Sequence, residues 1–171
     1  NTYQSSISFH QNIPNTPFNF TISASHWQST LTHVVTIQLP VFNFSMNQIY
    51  PFKKKLPSGK SKWYEKIGLS YALDAKNQVG AIDSTLFTTN TLSNLQAGAQ
   101  HRIPISAPFQ LFKFVTISPT LNFTETWALQ TITKTYSPIE QAAYTDTIQK
   151  FEAAHDYALN LSGSTRFYGM L

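Results

Sequence analysis

The sequence predicts an all-β fold, an antiparallel β-barrel of the outer-membrane type, from three observations. Apolar and polar residues alternate with period two through most of the 171 residues. Only 12% of the residues are charged, against roughly 25% in a typical soluble domain, whereas Ser, Thr, Asn and Gln together supply 60 residues. Several predicted strands are more than twice as long as the roughly five or six residues usual in globular proteins.

The first part of the chain predicts three strands. Residues 3–9 alternate between apolar and polar side chains, and a turn at 12–17 contains two prolines and two asparagines. Alternation resumes over 18–25. Residues 31–50 then form one long strand with a bulge at Pro40, because the parity of the apolar side chains changes there and a proline inside a strand needs a bulge or an edge. A tight turn at Pro40 is the alternative.

The rest of the chain predicts four further strands separated by polar connections. A polar loop covers 51–62, a short turn lies at 112–114, and long loops cover 77–96 and 134–152. The second long loop has fair helix propensity over 139–154 and could hold a helical turn. Alternation predicts the four strands at residues 67–73, 103–111, 115–127 and 157–161.

Two architectures fit strands with one apolar and one neutral polar face. A soluble β-sandwich acting as a binding module packs its apolar faces together. An outer-membrane barrel places the apolar face in lipid and the polar face in a wet lumen, and strand length and low charge favour this barrel.

Bacterial single-chain barrels have even strand numbers, and this chain starts without Met and ends in strand-like sequence. We therefore expect residues 1–171 to form an incomplete arc of about seven long strands, one segment of a single outer-membrane β-barrel domain. A small self-contained barrel with an eighth strand, acting as a structural anchor or adhesin, is the alternative.

The connections indicate an orientation. Numbered in order, the odd connections, 13–16, 51–62 and 112–114, have four, twelve and three residues. The even connections, 28–30, 77–96 and 134–152, have three, twenty and nineteen, so the short break at 28–30 is the exception. Bacterial barrels have short periplasmic turns and long external loops, so the first set is predicted to be periplasmic. Aromatic residues also gather near the strand ends, as in the girdles that mark membrane interfaces.

Six of the 12 basic residues fall between Lys53 and Lys66. This local basic loop does not indicate a nucleic-acid-binding domain. It is either a solvated turn or a contact with phosphate-bearing lipid head groups. The candidate head-group residues are Lys53, Lys54, Lys55, Lys60 and Lys62.

The sequence carries no pattern typical of an enzyme. It has no cysteine, and its five histidines include no pair at metal-ligand spacing. No G-x-S-x-G nucleophile elbow is present. We therefore predict no catalytic residue, no cofactor and no metal site.

Long stretches resemble the C-terminal barrel of the lipopolysaccharide-assembly outer-membrane protein family (LptD/OstA), in its Bacteroidetes form. Within them, the blocks IYPFKKK (49–55) and WYEKIGLSY (63–71) keep the order and spacing of that family. The similar stretches cover residues 17–55, 62–77, 100–127 and 163–171.

The resemblance implies a component of the cell outer membrane that inserts lipopolysaccharide into the outer leaflet, and not an enzyme. In this family a periplasmic β-jellyroll receives lipopolysaccharide, the barrel releases it sideways, and in proteobacterial members a lipoprotein plugs the barrel. The expected partners are lipopolysaccharide, outer-membrane lipids, the remainder of the barrel, a jellyroll domain and a plug lipoprotein. Residues 1–171 show no jellyroll pattern and supply too few strands to close a wide barrel, so we expect them to form an arc of the translocon. No residue here matches a family position of known function.

Overall fold

A computed structural model describes most of the chain as antiparallel β-structure, with 73% of the described residues in strands. This confirms the all-β prediction. The described residues are 1–55, 61–86, 88–89, 91, 95–112, 114–138 and 142–165. The strands are β1 (Thr2–Asn12), β2 (Phe18–Ser29), β3 (Val34–Ile49), β4 (Gly68–Ile82), β5 (Gln96–Ser106), β6 (Phe109–Leu111), β7 (Val115–Ala128), β8 (Thr131–Ser137), β9 (Ala142–Ile148) and β10 (Glu152–Thr165).

Seven strands form one continuous path in the order β1-β2-β3-β4-β5-β7-β10. Strand β6 lies on the same side of β7 as β5, because Ser106 pairs with Thr120 and Phe109 pairs with Ile117. Pro108 separates β5 from β6 and has no N–H to donate to the ladder. Strands β5 and β6 therefore act as one interrupted strand, and the path agrees with the predicted seven strands.

The bulge predicted at Pro40 is confirmed, and β3 remains one strand through it. The register between β3 and β4 shifts between Gln38 and Val41, and the peptide bond before Pro40 is cis. The neighbouring strand β2 shifts its pairing with β3 at the same level. Because of this shift, Ile37 and Phe42 point to the same side of the sheet although they are five positions apart.

The loop predicted over 134–152, with its helical turn, is wrong for the described residues. Strands β8 and β9 form a separate two-stranded hairpin there, in which Thr131 pairs with Ile148 and Thr135 pairs with Tyr144. Threonine, isoleucine and tyrosine favour strands. A backbone ladder between two such segments outweighs the modest helix propensity of the Ala and Gln residues around them.

The loop predicted over 77–96 is also shorter than expected. Strand β4 continues to Ile82, β5 begins at Gln96, and a short 3-10 turn at Asp83–Thr85 follows β4. Gln78 of β4 pairs with Gln38 of β3 and with Gln96 of β5. The backbone hydrogen bonds of the sheet therefore continue into a polar segment that was predicted to be part of the loop. Another 3-10 turn, Trp63–Lys66, precedes β4.

Each strand contributes one apolar and one polar face to the sheet, as the alternation predicts. Residues at the same register level share a face, and one such row runs Phe20, Phe44 and Leu73 across β2, β3 and β4. The next row holds Asn43 and Asp74 on the opposite side. We call these the apolar face and the polar face. The apolar face also carries Ile7, Phe9, Ile22, Ile37, Phe42, Leu69, Ile103, Ile105, Leu121, Phe123, Leu159 and Leu161.

The sheet is a single layer without a hydrophobic core. Among the described residues Val35, 3% exposed, is the one buried hydrophobic side chain, whereas Ile7 is 74% and Leu159 75% exposed. The accessible surface is 13186 Å², and a compact monomer of this mass exposes about 8,500 Å². The β-sandwich alternative therefore has no second apolar face to pack against in the described part of the chain.

Both edges of the sheet are open. Within the described ranges, β1 pairs with β2 alone and β10 pairs with β7 alone. The sheet does not close into a barrel. The prediction of an outer-membrane arc thus agrees with the open shape of the sheet, while its placement in a membrane stays a prediction.

Candidate functional site

The polar face carries ladders of side-chain hydrogen bonds that cross several strands. Asn43 Nδ2 donates to Asp74 Oδ1 at 2.6 Å, and Asp74 also forms an ion pair with Arg102. Arg102 Nη1 donates to Gln100 Oε1 at 3.0 Å, and Gln100 Nε2 donates to Thr126 at 3.3 Å. One ladder therefore connects β3, β4, β5 and β7, and its two opposite charges compensate each other.

A second ladder on the polar face consists of neutral groups. Ser25 donates to Gln38 Oε1 at 3.3 Å, and Gln38 Nε2 donates to Gln78 Oε1 at 2.9 Å. At the far edge of the sheet, the His10 ring and the Thr21 hydroxyl lie 2.9 Å apart. The polar face thus offers many hydrogen-bonding groups and little net charge.

Aromatic rings dominate the apolar face between β1 and β4. The ring centroids of Phe9 and Phe20 are 6.1 Å apart, and those of Phe18 and Phe44 are 5.7 Å apart. Phe44 also approaches Tyr71, with 6.0 Å between centroids. These pairs cover the backbone of four strands with apolar surface.

One row of polar side chains interrupts the apolar face, which the sequence analysis missed. His101, Glu125 and His155 occupy the same register level on β5, β7 and β10. Glu125 Oε1 accepts a hydrogen bond from Trp127 Nε1 at 2.7 Å and lies 3.8 Å from His155 Nδ1. The Tyr71 hydroxyl lies 2.7 Å from His101 Nδ1. We call these five residues the Glu125 cluster.

A signal for the Glu125 cluster exists in the sequence. Glu125 lies between Phe123 and Trp127, at a position where alternation demands an apolar residue. Trp127 lies on the same strand as Glu125, whereas His101 and His155 come from β5 and β10, so their proximity to Glu125 depends on register. The cluster does not amount to a metal centre, because no group of His, Cys, Asp or Glu in the described residues could hold a metal ion.

The predicted head-group residues lie in the connection between β3 and β4, where the cations meet aromatic rings. Lys53 Nζ lies 6.0 Å from the centroid of the Tyr50 ring, and Lys62 Nζ lies 5.7 Å from that of Tyr64.

Among the other predicted residues, Lys54 pairs with Glu65 at 3.8 Å, and Lys55 is exposed. Lys60 lies outside the described residues. The structure therefore brings Lys53 and Lys62 onto aromatic surfaces and pairs Lys54 with a carboxylate. Their contact with head groups stays a prediction.

In the part of the chain that the structure describes, no helix has the length and apolar character needed to cross a membrane. Comparison with curated proteins finds no match, and comparison with solved structures finds none either. A family model, that of the LptD protein, matches residues 1–171. This match covers the whole sequence and confirms the resemblance seen in the strand blocks. The chain belongs to the LptD protein family.

Proposed function

We propose that residues 1–171 form a section of barrel wall in an outer-membrane translocon that inserts lipopolysaccharide into the outer leaflet. The single observation that carries this proposal is the one-layered sheet whose apolar face extends across all seven strands of the main path. Membership of the LptD family, a transport and assembly family of the outer membrane and not an enzyme family, supplies the link to lipopolysaccharide.

The apolar face supports placement in lipid. In water each exposed Å² of this face costs about 25 cal/mol, and the described strands have no second layer to remove that cost. Contact with acyl chains removes the cost, because lipid tails are as apolar as the side chains.

Strand length supports the same placement. A tilted transmembrane strand needs about 9–11 residues, and every strand of the main path has at least 11. Strands β3 and β4, with 16 and 15 residues, extend beyond the hydrocarbon layer.

The polar face supports a hydrated lumen that passes a sugar-rich amphiphile. Its amide and hydroxyl ladders can exchange hydrogen bonds with sugar hydroxyls at little net free energy, since each bond made replaces one to water. Its central charges, Asp74 and Arg102, neutralise each other. A phosphorylated sugar would therefore meet hydrogen-bond partners throughout without being held at a strong fixed charge.

The two open edges of the sheet are evidence that further strands pair with it. The outer backbone groups of β1 and β10 have no partner among the described residues, and an unpaired edge is not tolerated in lipid. We propose that the remainder of the barrel pairs with both edges. A periplasmic jellyroll and a plug lipoprotein are the further partners that the family resemblance supports.

The basic connection between β3 and β4 supports a second contact, with lipid head groups. Lys53 and Lys62 lie beside the rings of Tyr50 and Tyr64, an arrangement suited to the membrane interface, and Lys55 is exposed. We propose that these cations, together with Lys54 and Lys60, contact lipid phosphates on the periplasmic side. The β8–β9 hairpin then lies on the external side, because it leaves the opposite end of the sheet.

Depletion of the protein in its own bacterium tests the translocon. We expect newly made lipopolysaccharide to fail to reach the cell surface, measured by labelling the outer leaflet, and re-expression of the wild-type protein to restore it. Unchanged delivery would contradict the proposal. If the protein were still found in the outer membrane, that result would favour the anchor or adhesin alternative.

A further inference from the structure

A groove on the apolar face lies directly beside the Glu125 cluster. Alanine side chains at 75, 97 and 99 form its floor, between the rings of Phe42 on one side and Trp127 with Phe151 on the other. Its volume is about 370 Å³. The small floor residues leave a depression between the larger side chains of this face, and we call this depression the alanine groove.

The alanine groove follows one register row across four strands. Phe42 pairs with Ala75, Ala75 with Ala99, and Ala99 with Trp127. Trp127 is the thirteenth residue of β7, whereas Ala75 is the eighth residue of β4. Given tilted strands, the row descends from the external interface at Trp127 toward the middle of the membrane at Phe42.

The Glu125 cluster lies at the interface end of this groove. The apolar positions of β7 run from Val115 to Phe123, nine residues that match the roughly 9–11 needed to cross the hydrocarbon layer. Glu125 follows at the next position on that face, and its side chain is 24% exposed. The carboxylate is therefore accessible to a group at the level of the lipid head groups.

Trp127 connects the two features. Its indole ring forms one wall of the groove, while its Nε1 donates to Glu125 Oε1 at 2.7 Å. His101 packs against the same ring, with 4.2 Å between centroids, and His101 Nε2 is buried without a hydrogen-bond partner among the described residues. A carboxylate, an indole face and imidazoles together suit a hydroxyl-rich ligand, because hydroxyls both donate and accept.

We propose that the alanine groove and the Glu125 cluster bind one glycolipid, with an acyl chain in the groove and a sugar hydroxyl on Glu125. The inference rests on the proposed placement of the apolar face in lipid. The negative charge of Glu125 disfavours an anionic phosphate head group, so the site selects a neutral sugar head. Such a site would hold the glycolipid against the outer wall of the barrel at the external interface.

Fluorescence quenching of Trp127 tests the site. The variants Trp27→Phe and Trp63→Phe together leave Trp127 as the one indole of residues 1–171, which contain three Trp residues. Any Trp elsewhere in the protein is replaced by Phe in the same way. The protein is placed in phosphatidylcholine nanodiscs, and a small amount of alkyl maltoside with a brominated chain is added. An alkyl phosphocholine with the same brominated chain serves as the second probe.

We expect the maltoside to quench Trp127 about fivefold more effectively than the phosphocholine at equal mole fraction, the effect of one additional hydrogen bond. Glu125→Gln, which removes the charge and keeps the shape, should reduce this preference. Ala99→Leu fills the groove, so each probe should then quench Trp127 only as much as that probe does from the surrounding lipid. The matched control Ala24→Leu introduces the same side chain on β2 of the same face and should change nothing.

Equal quenching by the two probes in the wild-type background would overturn the glycolipid site, as would a preference that survives both Glu125→Gln and Ala99→Leu. A separate measurement in nanodiscs made of brominated phosphatidylcholine reports membrane placement. Strong quenching there with no maltoside preference rejects the site and leaves the proposed function standing. Absence of quenching by brominated phosphatidylcholine rejects the placement itself.

Discussion

The two faces of the sheet share the same strands and backbone hydrogen bonds, yet their side chains follow different physical rules. On the apolar face, Phe20, Phe44 and Leu73 form a row of large side chains that water solvates poorly. On the polar face, Asn43, Asp74 and its neighbours satisfy one another across strands. The comparison teaches that each face suits a different solvent, an apolar medium on one side and water on the other.

The largest effect should come from lysine on one face and not on the other. Leu121→Lys should lower the free energy of unfolding in lipid vesicles by about 2–4 kcal/mol, because Leu121 lies within the apolar stretch of residues 115–123, where a lipid-facing cation is poorly solvated. The neighbouring variant Asn122→Lys places the same charge on the polar face and should be nearly neutral. Denaturant titration of both in the same vesicles measures the difference.

Two further pairs repeat the comparison at other strands. Leu69→Lys should destabilise the protein, whereas Ser70→Lys at the neighbouring position should be tolerated. In the same way, Ile37→Lys should be destabilising and Thr36→Lys should be tolerated. If lysine were tolerated equally at both positions of all three pairs, the assignment of the apolar face to lipid would be contradicted.

The next effect concerns the basic connection between β3 and β4, where Lys54, which is paired with Glu65, can be compared with Lys53, Lys55 and Lys62. Replacing Lys53, Lys55 and Lys62 by Gln should weaken binding to anionic vesicles by about 1 kcal/mol each, with a reduced dependence on salt. Lys54→Gln is the matched control and should have a smaller effect, because Glu65 lies 3.8 Å from the Lys54 ammonium. Vesicle flotation at several salt concentrations measures both, and identical losses for Lys54 and Lys53 would contradict the assignment.

A smaller effect is expected from the ion pair on the polar face. Arg102→Gln should cost about 1 kcal/mol or less, because Arg102 and Asp74 are 49% and 39% exposed and water screens their attraction. The cost should shrink as salt is added. A loss as large as that of Leu121→Lys would show that the polar face is dry and would contradict the comparison between the faces.

The smallest effect should come from outside both faces, at the connection between β9 and β10. A hydrogen bond and the charge of Glu152 raise the pKa of Lys150 above 10.5. A raised pKa stabilises the fold below the unfolded value and loses that contribution as pH rises through the folded value. At neutral pH the contribution is therefore fully present, yet the pair is exposed, so Lys150→Met should leave the unfolding midpoint unchanged by denaturant titration.

The sequence predicts those features that depend on local alternation. Period-two patterning is sufficient for the strands of the main path and their two faces, and the changed parity at Pro40 is sufficient for the bulge. Both are properties of one segment, readable without knowing which strand lies beside it.

Features that depend on pairing between strands were not predictable in the same way. The β8–β9 hairpin contains residues such as Ala142 and Ala143 that also favour helix, and only its partner ladder decides between the two. The Glu125 cluster requires the registers of β5, β7 and β10, which place His101 and His155 on either side of Glu125. The partners of Lys53 and Lys54 likewise depend on how the connection folds back.

Spin labels along β7 test the central claim of two faces in two solvents most directly. Residues 1–171 contain no cysteine, so single cysteines introduced one at a time at positions 116 to 124 of β7 give labels in lipid vesicles that are unique within these residues. We expect labels at Ile117, Leu121 and Phe123 to collide with dissolved oxygen, and labels at Thr116, Asn122 and Thr124 to collide with a water-soluble nickel chelate. Two period-two profiles in opposite phase would support the account, whereas equal nickel accessibility at both parities would contradict it.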